Sequence, residues 1–377
     1  MDLPTPCLLL DPTVLARNID AMSERTRHLG VQLRAHMKTS KSAEVMARLP
    51  RAPGASAPSI AVSTLREAEY LFDAGARDIL HAIPLAPAKH ARARALVARG
   101  ARLGLLVDTP QALEQLISSA PASGEDLPLR VMLEIDSDGY RGGLAPEAPA
   151  LMECAALLRT APQAVSLGGV YGYAGRTYTA SDATQGAQIV ERCRRATLAA
   201  TEQLRSAGLT VESVCLGGSP VAVFAEQLEG VDTLCAGVWM FNDLFQHGLG
   251  ICALEDLAVS VLATVVSANT ATDTVFIDAG ALALSQDRST AEQSRDTAYG
   301  LLADAATGRL LPGYRVTAVS QEHGHVTGPQ VLARLPVGTQ VRVLPNHVCM
   351  SAAGFEGYVV IGDDPRNTDY WPRVNGW

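Results

Sequence analysis

Several absences narrow the class of this chain before any motif is read. No run of eighteen apolar residues occurs, so no membrane-spanning helix is expected. The first residues show no basic segment followed by an apolar one, which predicts a cytoplasmic protein. Positive charge is in the minority: 31 Lys and Arg against 39 Asp and Glu leave a net charge of -8. That balance argues against nucleic acid or an anionic membrane as partner. The 7 cysteines are odd in number and scattered, which suits buried thiols of a reducing compartment better than a disulfide framework. Low-complexity segments are missing, and so is any repeat beyond an alternation of strand and helix signals.

What is present is core material. The 377 residues, 47% of them hydrophobic, suffice for one large domain and a smaller one. Pro4 to Asp11 reads as a short strand, and Pro12 opens a helix with Asp11 as its N-cap. Then come eight strand candidates: 31–38, 59–62, 78–83, 103–107, 129–135, 166–171, 211–216 and 233–238. Helical stretches lie between most of them, at 42–49, 65–73, 88–99, 109–118 and 188–207. Eight alternations over this length predict an α/β fold, a (β/α)8 barrel, with an open doubly wound sheet as the alternative because counting strands does not show closure. After Ala253 the rhythm turns to short strands, at 259–266, 273–277, 314–318, 331–335 and 340–344, a β-rich second domain. The expected division is 12–252 for the barrel, with 1–11 and 253–377 forming the β-rich domain.

The stretch Val31 to Lys41 alternates like a half-buried strand and ends on Lys38. A lysine at the carboxyl end of a barrel strand is placed to act as a Schiff-base nucleophile, although Lys-Thr-Ser-Lys alone reads more readily as a solvated turn. Further rim stretches follow the later strands. Asp136 to Gly143 sets Arg141 in a glycine-rich loop, and Tyr171 to Tyr178 offers phenols. Leu216-Gly217-Gly218-Ser219-Pro220 and Ala236-Gly237-Val238-Trp239 follow strands seven and eight, where barrels most often hold phosphate. Together with a rim lysine they describe a phosphorylated cofactor. The second domain adds Gln321-Glu322-His323-Gly324-His325 and Asn346-His347-Val348-Cys349. On an extended segment His347 and Cys349 face one way, as two ligands of one zinc ion do. Two ligands alone are a weak signal, and a structural site needs two more.

These stretches, with Ser63 to Ala68, Glu134 to Arg141 and Asp278-Ala279-Gly280, resemble one family in the same order along almost the whole chain. It comprises D-serine dehydratase, D-threo-3-hydroxyaspartate dehydratase and D-threonine aldolase. The resemblance implies an alanine-racemase-like fold, pyridoxal 5'-phosphate (PLP) and a divalent metal. It also implies a homodimer that shares its active sites. By position, Lys38 is implied as the PLP lysine and Arg141 as partner of the ring hydroxyl. Tyr178, Gly218, Ser219, Gly237 and Val238 are implied at the ring or phosphate, with Tyr173 beside them, and His347 and Cys349 at the metal. Thiolate with imidazole favours zinc, leaving manganese, cobalt or magnesium as alternatives. The dehydratases carry His-x-Cys where bacterial aldolases carry His-x-Asp, so Cys349 points to a dehydratase. Ser285 to Thr290 is most similar to the hydroxyaspartate enzyme. Tyr173 stands where relatives usually have histidine, Trp239 where they have tyrosine, and Ala35 where proline is common. The implied activity is loss of water and then ammonia from a β-hydroxy-D-amino acid. Retro-aldol cleavage is the nearer rival and a non-catalytic PLP carrier the more distant one.

Overall fold

A computed structural model of the chain describes residues 3–121, 127–362 and 368–377. The chain forms two compact units. One comprises Ala21–Lys38, Val45–Gly237 and Gly376–Trp377, and the other Met1–Asp20, Thr39–Glu44 and Val238–Asn375.

The first strand of the chain, β1 (Cys7–Leu10), belongs to the second of these units. The eight that follow build the first: β2 (Gln32–His36), β3 (Ile60–Val62), β4 (Asp78–Pro84), β5 (Arg102–Val107), β6 (Leu129–Ile135), β7 (Val165–Tyr173), β8 (Val214–Gly217) and β9 (Thr233–Ala236). Each pairs in parallel with the next, and β9 pairs with β2, so the sheet closes. The open-sheet alternative is thereby excluded. Inward residues of successive strands fill the barrel, among them Ala61, Leu80, Met132, Tyr171, Cys215 and Cys235. Burying such apolar area contributes about 25 cal/mol per Å² and fixes the strand register.

A charged tie crosses the early strands. Buried Arg34 of β2 donates through Nη2 to Asp78 Oδ2 of β4 at 2.7 Å and through Nη1 to Ile60 O of β3 at 3.1 Å. Ser59 Oγ donates to the same Asp78 oxygen at 2.9 Å. Burial pushes the Asp78 carboxyl up, but Arg34 and Ser59 outweigh it and hold it below its ordinary value.

The helix Leu65–Asp73 occupies the stretch read from sequence because Thr64 caps it, its Oγ1 accepting from Glu67 N at 3.0 Å. Glu67 returns the contact by accepting from Ser63 N at 3.0 Å. Thr109 caps Pro110–Ser118 in the same way.

In the second unit nine strands form one sheet. The new ones are β10 (Val259–Asn269), β11 (Thr274–Ile277), β12 (Leu301–Asp304), β13 (Leu310–Val319), β14 (Gly324–Thr327), β15 (Gln340–Leu344), β16 (Gly357–Ile361) and β17 (Thr368–Pro372). Their order is β11-β14-β13-β12-β15-β10-β1-β16-β17, so β1 is an interior strand between β10 and β16. Asp11 caps the helix Pro12–His28 as expected, Oδ1 accepting from Thr13 N and Val14 N.

Two expectations fail here. The stretch Val331 to Leu335 is a helix (Val331–Arg334), since five residues rich in aliphatics carry no periodicity that separates strand from helix. Cys349 does not lie on an extended segment. His347 is extended, with φ -133°, but it is the N-cap of the helix Val348–Ala352, so the i, i+2 facing rule of a strand does not apply.

Candidate active site

Lys38 leaves the carboxyl end of β2, exposed to solvent, with its backbone N–H 3.4 Å from Nδ1 of buried His36. Burial first, then Lys38, His81 and Arg141, push His36 well below its ordinary value, so its ring stays neutral. A neutral Nδ1 can accept from the Lys38 N–H.

Arg141 reaches back from its loop to the end of β6. Its Nη2 lies 2.6 Å from Oε1 of Glu134, whose side chain is only 2% exposed. Its guanidinium also covers the Tyr173 ring at 4.2 Å. Asp136 Oδ1 accepts from Asp138 N and Gly139 N within the loop. Burial raises the Glu134 carboxyl even against Arg141. Tyr173 is pushed up to about 12, mainly by burial, and stays a neutral phenol. Tyr140 lies against it with ring centres 6.0 Å apart.

The loops after β8 and β9 complete the rim. Tyr173 is in register with Gly217, and a Cβ on Gly217 would sit 3.1 Å from the Tyr173 ring. Gly218 turns the chain with φ +129°, a region that favours glycine. Ser219 N lies 3.3 Å from the Tyr178 hydroxyl, and Ser219 Oγ accepts from Gly237 N at 3.2 Å. Gly237 is itself packed on β2: a Cβ there would lie 2.5 Å from His36 O. Tyr178, Gly218, Ser219 and Gly237 therefore form one patch, and Lys38, Arg141 and Tyr173 share its rim. Val238 begins the other compact unit as the first residue of a buried turn, Val238–Met240.

In that unit His347 Nδ1 is 2.8 Å from Asp287 Oδ2, and the Cys349 thiol is near enough to act on its imidazole. Burial opposes a proton on His347, but these two partners outweigh it and raise the group to about 11. Cys349 Sγ lies 3.2 Å from Thr39 Oγ1. Among the described residues no group of three or more His, Cys, Asp or Glu is arranged to hold a metal ion. The donor set nevertheless fits one at two positions. Imidazole and thiol stand together, and a carboxylate orients the imidazole, as outer partners of metal-binding histidines do.

The Asp278 turn and the stretch 321–325 are structural neighbours of each other. Asp278 accepts from Thr264 N at 2.8 Å, and a Cβ on Gly280 would lie 2.5 Å from Gln321 O. His325 packs edge-on against Phe276.

Reading by residue type overlooked Glu134, His36 and Asp287 as partners of the site. The first two lie inside the quoted motif stretches, where their inward position on β6 and β2 was the available signal. Asp287 lies in the quoted stretch Ser285 to Thr290, but it approaches His347 across 60 residues, so nothing local pairs the two.

A closed barrel whose first strand leads directly to a lysine, together with a separate β unit, defines the alanine-racemase-like class. The model described as "Alanine racemase, N-terminal domain" matches residues 10–244, and the one described as "Putative serine dehydratase domain" matches 258–361. The chain is 39% identical to D-threo-3-hydroxyaspartate dehydratase of Delftia sp., covering 100% of this chain and 99% of that one. The solved structure of that protein superposes with a TM-score of 0.94 at 38% identity, over 100% of this chain and 99% of the other. D-serine dehydratase of Dictyostelium discoideum is 30% identical over 100% of this chain and 98% of its own. D-threonine aldolase of Arthrobacter sp. is 29% identical over 95% and 89%. The chain belongs to the D-serine dehydratase family, whose fold is alanine-racemase-like. A mutant of a D-threo-3-hydroxyaspartate dehydratase has been solved in a metal-free form, which implies a metal in that relative.

Proposed function

We propose that the chain is a PLP- and metal-dependent lyase. It acts on a β-hydroxy-D-amino acid, removing water and then ammonia to leave a 2-oxo acid. Full-length similarity to a D-threo-3-hydroxyaspartate dehydratase carries this reading. The rim patch is chemically suited to PLP: two hydroxyls and glycine backbone meet there, and Lys38 and Arg141 stand at the ends of strands of the same barrel. PLP, when bound, supplies an electron sink for the pair left at the substrate Cα.

The protein's own groups do the rest. Lys38 would hold the cofactor and would take the substrate Cα proton at Nζ. Arg141, fixed by Glu134 and covering Tyr173, holds the ring hydroxyl. Tyr178, Gly218, Ser219, Gly237 and Val238 bind the ring face or phosphate. His36 keeps its neutral ring against the Lys38 backbone and adds no second positive charge beside the base. His347 and Cys349 bind the metal, with Asp287 orienting the imidazole. A bound divalent ion stabilises charge on a departing β-hydroxyl, and nitrogen with sulfur donors favour zinc. The functional division we propose is 12–252 for PLP and 1–11 with 253–377 for the metal. The enzyme is proposed to be cytoplasmic and to work as a homodimer with shared active sites, without nucleic-acid or membrane partners.

Purified protein given D-serine, D-threonine or D-threo-3-hydroxyaspartate, with and without chelator, tests the reading. A 2-oxo acid with equal ammonia is expected, and only when metal is present. Glycine with an aldehyde from D-threonine would make the chain an aldolase.

A further inference from the structure

The β unit contains a cavity of about 510 Å³ whose lining includes none of the proposed active-site residues. That volume falls within the range of small-molecule pockets. Its walls are aliphatic, including Leu9, Leu257, Leu344 and Ile361. Its charged groups are two cations, Arg309 and Arg342, and two anions, Asp11 and Glu255, with the hydroxyls of Ser260 and Thr307 beside them.

Arg342 is the unusual member. It stands on interior strand β15 and is 9% exposed. Nε and Nη2 donate to the carbonyls of Ala305 and Ala306 at 2.8 and 3.3 Å. Nη1 points past Gly308, whose Cβ, if it had one, would lie 3.2 Å away. Among the described residues Arg342 forms no ion pair, although it feels the charges of Asp11 and Asp304. A guanidinium so enclosed ordinarily has a carboxylate against it, because desolvating an unpaired charge is costly. Asp11 caps its helix through Oδ1, and that cap leaves Oδ2 unused.

Opposite charges thus line one apolar cavity without touching. We propose that this cavity is a second ligand site, for an α-amino acid with a large apolar side chain. The ligand's carboxylate pairs with Arg342, its ammonium with Asp11, and its side chain rests on the aliphatic wall. Such a zwitterion meets both charges at once; a simple anion leaves Asp11 facing it, and a simple amine leaves Arg342 unpaired. The inference is independent of the lyase reading, because it concerns equilibrium binding elsewhere in the chain.

The test is calorimetric titration of the cofactor-loaded enzyme with L-phenylalanine, 3-phenylpropanoate and 2-phenylethylamine, while following the cofactor's visible band. Saturable binding of L-phenylalanine at least tenfold tighter than either analogue, with the band unchanged, is expected. Asp11→Asn keeps a good N-cap, and Arg342→Lys keeps the charge; each should weaken binding at least tenfold. Leu310→Trp, at the solvent edge of the cavity, should do the same by filling it, and it serves if Arg342→Lys fails to fold. No binding of L-phenylalanine overturns the proposal. So does equal binding of 3-phenylpropanoate, binding that alters the cofactor band, or binding indifferent to the substitutions that fold.

Discussion

Glu134 holds Arg141. The carboxylate is almost fully enclosed at the end of β6, and the guanidinium meets it at 2.6 Å while its carbon stands 4.2 Å from the centre of the Tyr173 ring. A charge-assisted bond to a buried acceptor fixes an arginine far better than a solvated one does. Glu134→Gln should therefore loosen Arg141 and weaken PLP binding by about 2 kcal/mol, roughly thirtyfold. Titrating the cofactor by absorbance checks this, and unchanged affinity would return the pair to a structural role.

The same pair sets a pH limit. Burial raises Glu134, so it takes up a proton at a higher pH than an ordinary carboxylate. Cofactor affinity should fall as pH drops through that raised value. The fall should be absent in Glu134→Gln, which carries no titrating group at that position.

Lys38→Ala should fold and still bind some PLP through the remaining rim contacts, but lose the visible band of the lysine-bound cofactor and all turnover. Borohydride treatment of the unaltered enzyme should fix the cofactor on Lys38, as peptide mass analysis will show. Label on Lys41 would reassign the lysine.

Cys349→Ala and His347→Ala should each remove the metal while leaving the PLP band in place. Metal content by atomic emission, turnover and melting temperature separate the possible roles. Loss of turnover alone marks a metal that acts on the substrate. Joint loss of melting temperature and cofactor marks a structural one. Asp287→Ala, which releases the imidazole, should weaken metal binding by about ten- to a hundredfold.

Stability in acid should depend on Asp78. Its folded value is depressed, so the stabilisation it gives is present above the unfolded carboxylate value and lost as pH falls through the folded one. Asp78→Asn leaves Arg34 buried without its counter-charge and should cost about 3–5 kcal/mol at neutral pH. Its thermal stability should also vary less with acid pH than that of the unaltered protein.

The barrel was legible because its strands are short apolar runs separated by capped helices. The helix starts read at Leu65 and Thr109 hold to within a residue, because Thr64 and Thr109 cap those helices. The sheet of the other unit was less so. Strands β12 and β14 are four residues each and owe their existence to long-range partners. Val331 to Leu335 offered a strand's composition without a strand's neighbours. The site divides in the same way. Lys38, Arg141, His347 and Cys349 stood out through short motifs. Their partners His36, Glu134 and Asp287 emerge only when folding sets inward faces and joins distant segments.

The central position of β1 bears on the order in which the chain can assemble on the ribosome. Both of its sheet partners, β10 and β16, are encoded after the entire barrel. At ordinary synthesis rates Leu8-Leu9-Leu10 must wait on the order of tens of seconds for the first of them. During that interval it is an unpaired apolar strand of the kind chaperones recognise. The barrel strands, by contrast, emerge consecutively, and each finds its neighbour within a few dozen residues. A chain interrupted before Gly357 keeps every barrel strand but leaves β1 with one edge open, so early termination should produce a folded barrel with an adhesive sheet.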